Sequence, residues 1–281
     1  MRLETLKGNP GEFTLAELDR KAVPRWFLWD GGFLLLGRSV GETPVHDHHA
    51  VQIVISSTEP VAVSDKDGVW REGFGVIVKP DVSHGFNGRG AFGAMIFIDP
   101  EATEGMWLRS FLKEPISVVP LSRIQSCREA LMNFIERPFE ALDAAGLTRY
   151  CVQALCAGAL PNRRLDTRIT QVLESIRASD NLRMPLADVA ASVFLSPSRF
   201  AHLFKQQVGL PYRRYVLWRK LTRAMLEIGR DVSIAEAAQL ADFADAAHLT
   251  RTFQQMFGTS PSALMRGEFF EISSPFQESQ A

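Results

Sequence analysis

Between about residue 20 and residue 100 the apolar positions fall in short runs. "FLLLGRSV", "AVQIVISS", "VAVSD", "FGVIVKP" and "AFGAMIFID" are either alternating or wholly apolar, and turn formers such as "DGG", "SSTEP", "DKDG" and "NGRG" separate them. Runs of this length and spacing predict antiparallel strands in a sandwich or barrel. From Leu121 the period changes. "LSRIQSCREALMNFIERP" and "GLTRYCVQALCAGAL" carry apolar residues three and four apart, which predicts two amphipathic helices. "PNRR" (161–164) is polar and opens on proline, so it reads as a linker. From Asp166 to Arg266 the period is helical throughout, punctuated by "SDN", "SPS", "GLP", "GRDVS" and "GTSP". The closing "ISSPFQESQA" has no pattern and is expected to be disordered. The chain thus divides into a β domain (1–120), a helical pair (121–160), a linker (161–165), an all-α domain (166–266) and a tail (267–281).

Inside the all-α domain one phrase occurs twice. "LADVAASVFLSPSRFAHLFKQQVG" (186–209) aligns with "IAEAAQLADFADAAHLTRTFQQMFG" (234–258), with one extra residue in the second copy. Each copy has a short helix carrying small residues (Ala190, Ala191; Ala237, Ala238), a tight connection and a second helix that ends at glycine. Small residues let the second helix cross the first closely, and glycine accepts the left-handed C-cap. Ser196 before Pro197 provides an N-cap with proline at the first helical position, and Asp245 is the matching cap in the second copy. This is the plan of a helix-turn-helix, over 186–207 and 234–257, whose second helix enters the DNA major groove. Phe200, Phe204, Leu249 and Phe253 fall on the inner face of these helices. The intervening "PYRRYVLWRKLTRAMLE" (211–227) predicts a helix about 25 Å long at ~1.5 Å per residue. Such a strut suits two probes roughly one DNA turn apart. Arg213, Arg214, Arg219, Lys220 and Arg223 on it are candidates for phosphate contacts or for a plain solvated face.

Charge supports this division. Residues 163–266 carry 15 Lys/Arg against 9 Asp/Glu, while the rest of the chain is acidic enough to bring the total to −1. A basic module on an acidic remainder suits a polyanion partner. No run of eighteen apolar residues occurs, so no membrane span is expected. The start lacks a secretory pattern, and three cysteines without metal spacing read as reduced thiols, so the expected location is the cytoplasm.

On these residues, above all "FADAAHLTRTFQQMFGTSPSALMR", the last hundred residues resemble the AraC family of bacterial transcription regulators. The resemblance implies an α+β protein: an N-terminal cupin-like β-barrel with following helices that senses a small molecule, and a C-terminal all-α domain with two helix-turn-helix motifs joined by a long helix. It implies a double-stranded DNA operator, a small-molecule effector, a homodimer and contact with RNA polymerase as partners, with no enzyme activity, no cofactor and no membrane. Carried over by position, the base- and phosphate-facing residues are Ser198, Arg199, Ala201, His202 and Lys205 in the first motif. In the second they are Ala246, Ala247, His248 and Arg251. The fork of Arg251 matches the two acceptors of guanine. Two departures stand out: Phe194 and Asp242 occupy turn positions where the family has glycine. If the backbone keeps positive φ there, the first motif is strained, because Asp tolerates that region better than a bulky residue.

In the N-terminal half, "HDHHAVQ" and "PDVSHGFN" resemble the two cupin metal motifs, with Gln52 where a glutamate is usual and His84 one residue nearer its proline than usual. His46, His48, Gln52 and His84 are therefore candidate effector-binding residues, or structural polar groups beside the pocket. His46, His48 and His84 are also the metal candidates. Trp26, Trp29, Phe33 and Phe97 could form apolar wall or plain core. Met132, Ile135, Val152, Leu155 and Leu160 on the helical pair could form a dimer seam or pack on their own domain. Two alternative functions follow from the histidines: a metal-dependent cupin enzyme fused to a DNA-binding domain, and a regulator whose effector is a metal ion.

Overall fold

The computed structural model describes residues 24–39, 41–136, 144–156, 165–179, 181–264 and 266–271. The β domain is built of two sheets rather than one closed barrel. The larger sheet runs β10 (Ile116–Val118), β7 (Gly75–Val78), β4 (Val51–Ser56), β9 (Phe92–Ile98), β2 (Gly32–Arg38), β1 (Arg25–Trp29) and β11 (Glu268–Glu271). The smaller runs β3 (Glu42–His46), β8 (His84–Asn87), β5 (Val61–Asp65) and β6 (Trp70–Gly73). All pairings are antiparallel except β1 with β11. Val54, Val76 and Val78 of the larger sheet meet Val61, Val63 and Phe86 of the smaller across a shared apolar layer.

The other face of the larger sheet is covered by helices. After α1 (Thr103–Phe111), α2 (Leu121–Glu136) and α3 (Ala144–Leu155) lay Leu131, Phe134, Ile135, Val152 and Leu155 against Leu34, Leu36, Ile53, Ile55 and Ile96. Ile135, Val152 and Leu155 are thereby consumed by their own domain and do not form a dimer seam. Met132 packs at the margin of the same cluster, and Leu160 lies outside the described residues. With both faces covered, every residue of β4 is buried, which explains its continuous apolar run. Because Val51, Ile53 and Ile55 face the helices, Gln52 faces the space between the sheets.

The all-α domain follows as α4 (Thr167–Ala178), α5 (Leu186–Ser192), α6 (Pro197–Val208), α7 (Tyr212–Gly229), α8 (Ile234–Leu240), α9 (Ala246–Phe257) and α10 (Pro261–Leu264). It holds two cores. One gathers α4, α5, α6 and the start of α7 around Phe200, Phe204, Tyr212 and Tyr215. The other gathers the end of α7, α8 and α9, and it is continuous with Leu28, Phe33, Ala50 and Phe97 of the β domain. The segment expected to be tail begins as a strand, since β11 pairs in register with β1 over Arg25–Leu28. "EFFE" is too short to announce a strand by period, and its partner lies more than 200 residues away. The remaining tail, 272–281, lies outside the described residues.

Candidate nucleic-acid interface and histidine cluster

Both predicted helix-turn-helix units are formed, and their ends are capped as the residues dictate. The Ser196 hydroxyl accepts from Arg199 N at 3.3 Å, and the Asp245 carboxylate accepts from His248 N at 2.6 Å. Gly209 and Gly258 close α6 and α9 in the left-handed region, at φ 108° and 66°. Phe200, Phe204, Leu249 and Phe253 are all buried, as are Ala190, Ala237 and Ala238 where the paired helices cross. On the opposite faces Ser198, Arg199, His202, Lys205, Ala247 and Arg251 are exposed, and Ala201, Ala246 and His248 are half-buried. The His248 ring sits edge-on to Phe243 at 5.1 Å, which fixes one side of it.

The two glycine-like turn positions keep the conformation glycine would have supplied. Phe194 stands at φ 56° and Asp242 at φ 61°. Asp242 has compensation. Its carboxylate accepts from Leu182 N at 2.7 Å and pairs with Arg183 at 2.9 Å, and its carbonyl accepts from Lys220 Nζ at 2.8 Å. Phe194 is 96% exposed, so its ring recovers nothing from packing.

The strut, α7, spans 18 residues, about 27 Å. Its cations divide by role. Arg213 is exposed. Arg214 pairs with Asp47, and Lys220 is spent on the Asp242 carbonyl. Arg219 is not available for phosphate. It is turned inward, 3.0 Å from Asp99 and 3.4 Å from Asp30, beside Trp218, whose indole N–H donates to Asp99 at 2.8 Å. Period alone could not distinguish this inward-turned arginine from its exposed neighbours, because its partners lie about 120 and 190 residues away.

The histidine motifs converge between the sheets. β3 ends at His46, β8 begins at His84, and the two are direct register partners. His48 and Gln52 belong to different segments, the first before β4 and the second within it, yet they meet. Gln52 Oε1 lies 3.0 Å from His48 Nε2 and 2.9 Å from His84 Nε2. One ring nitrogen from each of His46, His48 and His84 falls within a 4.8 Å sphere of mutual distances. Nδ1 of His46 lies 2.8 Å from the Pro44 carbonyl, and Nδ1 of His84 lies 2.8 Å from the Val82 carbonyl. A carbonyl can only accept, so both Nδ1 atoms carry the proton and both Nε2 atoms present lone pairs. Burial pushes all three histidines toward the neutral form. The neighbouring rings depress His48 further, and His84 falls to about 4. A neutral, Nδ1-protonated His84 cannot donate to Gln52 Oε1. That contact is satisfied either by a reversed amide or by a cation held between oxygen and nitrogen. The donor set fits a cation, since cis ligands at bonds of ~2.1 Å stand about 3 Å apart in octahedral geometry.

The second motif forms the roof of this cluster. The Phe257 ring stacks at 5.9 Å from His48 and edge-on at 5.7 Å to Phe97. Gly258 is so close that a Cβ there would lie 3.2 Å from His46 Nδ1 and 3.3 Å from the Pro44 carbonyl. Glycine is favoured here both by its positive φ and by that approach. A neighbouring network was not foreseen. His49 is buried and bridges Asp81 at 2.9 Å and Glu101 at 3.1 Å. Desolvation opposes its charge, but the Glu101 and Asp81 carboxylates overcome it and raise its pKa to about 10. "HDHH" shows the histidine, but nothing local in the sequence pairs it with acids 32 and 52 positions on.

The architecture is that of a two-domain α+β protein in which a duplicated helix-turn-helix unit is packed on a β domain. Residues 189–267 match the helix-turn-helix domain family. Over 107 residues the chain is 32% identical to the arabinose operon regulatory protein of Escherichia coli (strain K12), a match covering 37% of this chain and 36% of that protein. The chain thus aligns with little more than a third of that relative's length. Two structures of ToxT from Vibrio cholerae share the fold over most of the chain. The 1.65 Å structure (P21 form) has a TM-score of 0.56 at 10% identity, covering 84% of this chain and 98% of that one. Unsaturated fatty acid bound wild-type ToxT from strain SCE256 has a TM-score of 0.52 at 11% identity, covering 84% and 93%. Residues 189–267 are therefore a helix-turn-helix domain, and the chain shares the fold of ToxT. Among the described residues no helix is long and apolar enough to cross a membrane.

Proposed function

We propose that the protein is a cytoplasmic, sequence-specific transcription regulator. In this reading both helix-turn-helix motifs bind a double-stranded DNA operator, and a small molecule taken up by the β domain controls them. The observation that carries it is the pair of capped second helices, α6 and α9, each burying its aromatic face and presenting its opposite face to solvent. Ser198, Arg199, Ala201, His202 and Lys205 serve one groove, and Ala246, Ala247, His248 and Arg251 the next. The protein acts as a homodimer and contacts RNA polymerase when it activates. Its affinity for a duplex falls linearly on a log–log plot against salt, as counterion release requires. Binding insensitive to salt over a tenfold range would end the DNA reading.

His46, His48, Gln52 and His84 are assigned to effector control because the second motif rests directly on them. The arabinose operon relative and the fatty acid bound ToxT neighbour support control by a small molecule. One observation favours a second reading, in which the effector is a divalent transition metal: Nε2 of His48 and of His84 meet the Gln52 amide oxygen, with a ring nitrogen of His46 close by. His46, His48 and His84 would hold the ion with Gln52 as the fourth ligand. Elemental analysis of purified full-length protein, followed by zinc or manganese titration of operator affinity, separates the readings. A metal response lost in His48→Ala supports the second, and metal-free protein with full, metal-indifferent operator binding rejects it.

A further inference from the structure

The first motif carries a local conflict that its own packing does not resolve. Five non-glycine residues among those described have positive φ, three of them aspartates, and Phe194 is the one apolar member. A bulky side chain is an outlier in that region. The same residue is 96% exposed, against 55% for Val45, the next most exposed large apolar side chain among those described. The turn that bears it is well held. Phe194 N donates to the Ala191 carbonyl at 3.0 Å, and Leu195 N to the Ala190 carbonyl at 2.9 Å. Val193 is buried in the first core and Leu195 packs against it. A firmly anchored turn thus holds a phenyl ring out in water, on a backbone that disfavours it. Uncompensated strain of this kind gathers at binding sites.

Placement points to the partner. Ser196, the N-cap of α6, is two residues on, at most about 7 Å along the chain. Ser196, Pro197, Ser198 and Arg199 are all exposed. The ring is therefore continuous with the N-terminal end of the α6 face, the end from which a recognition helix reaches base edges. A phenyl ring has no charge to offer a phosphate. The apolar feature of the major groove is the C5-methyl group of thymine, which phenylalanine can meet.

We infer that Phe194 is a specificity-determining residue of the first motif, its ring packing on the methyl group of a thymine at the edge of the α6 half-site. The inference rests on the DNA reading above and adds to it a base contact made from the turn rather than from the helix. Asp242, at the matching place in the second motif, is engaged by Leu182, Arg183 and Lys220 within the protein, so the second half-site lacks this contact.

The test uses the full chain and a duplex that it selects from a random-sequence pool. Deoxyuridine then replaces each thymine of that duplex in turn, which removes only the methyl group. One replacement, in or beside the element that Arg251→Ala leaves intact, is expected to weaken wild-type binding about fourfold, the size of one lost apolar carbon contact. Phe194→Ala is expected to bind the thymine duplex several-fold more weakly and to ignore that replacement. Its slope of log affinity against log salt should match wild type, because no phosphate contact is lost. Phe194→Gly should bind as weakly as Phe194→Ala while its Tm stays level or rises, a combination that a merely structural role does not produce. Undiminished binding by Phe194→Ala overturns the inference and leaves the DNA reading standing; if transcription activation is then lost, the ring belongs to a protein contact instead. Absence of any deoxyuridine effect near that element, an equal effect in Phe194→Ala, or a salt slope lowered by about 1 in that variant also overturns it. Failure of the wild-type chain to select any sequence overturns both the inference and the reading beneath it.

Discussion

The two helix-turn-helix motifs are near-copies in sequence, yet the protein treats them differently. The first closes on a core of its own, with α4 and the start of α7, and shares none of that core with the β sheets. The second shares its core with Leu28, Phe33, Ala50 and Phe97, and its last turn lies on the histidine cluster. The same asymmetry appears in the turns. Asp242 holds its left-handed backbone with an amide, an arginine and a lysine, whereas the exposed Phe194 ring adds nothing to the turn's own backbone hydrogen bond to Ala191. Duplication of a motif therefore does not duplicate its role. The first unit is held through α7 and through the Leu182 and Arg183 contacts to Asp242, while the second shares its core with the domain that would sense a signal.

The clamp between α7 and the β domain gives the largest effect. Asp99→Ala leaves Arg219 with Asp30 alone and takes the acceptor from the buried Trp218 indole, so it should cost about 3 kcal/mol in urea unfolding. A cost under about 1 kcal/mol would erase the claimed difference in docking between the motifs. Next comes the anchored turn. Asp242→Ala removes the acceptor for Leu182 N, breaks the Arg183 pair and keeps positive φ on a residue with Cβ, a loss of roughly 2–3 kcal/mol by the same measurement. Base reading is of similar size but appears in binding. Arg251→Ala should weaken operator binding by about 1–3 kcal/mol and relax one base preference, while leaving unfolding unaffected because the side chain is exposed. The smallest effect is at the unanchored turn. Phe194→Gly should raise stability by at most about 1 kcal/mol, since relief of the left-handed strain is partly offset by the entropy of glycine. A clear loss there would mean the exposed ring has a partner, and would make the two turns more alike than the coordinates show.

What could be read from the chain was what is local. Caps at Ser196 and Asp245, terminators at Gly209 and Gly258, and the inward aromatics follow from spacing within one helix, and all stand where the sequence placed them. The strain at Phe194 was legible for the same reason, as a bulky residue in a turn that wants glycine. The histidine motifs were visible as motifs, but not the irregular step between β3 and β4 that lets His48 and Gln52 meet from separate segments. The acids that matter were not legible at all. Asp99 and Glu101 follow a strand as ordinary surface-type residues do, and only the packing of α7, more than a hundred positions later, buries Asp99 against Arg219 and Trp218.

The central claim is that α6 and α9 read successive major grooves on one side of a duplex. Selection of bound sequences by the full chain from a pool of random duplexes tests it most directly. The claim predicts a recovered site with two specified elements about 10 base pairs apart, of which Arg251→Ala relaxes only one. A site with a single element, two elements without fixed spacing, or no enrichment would contradict it.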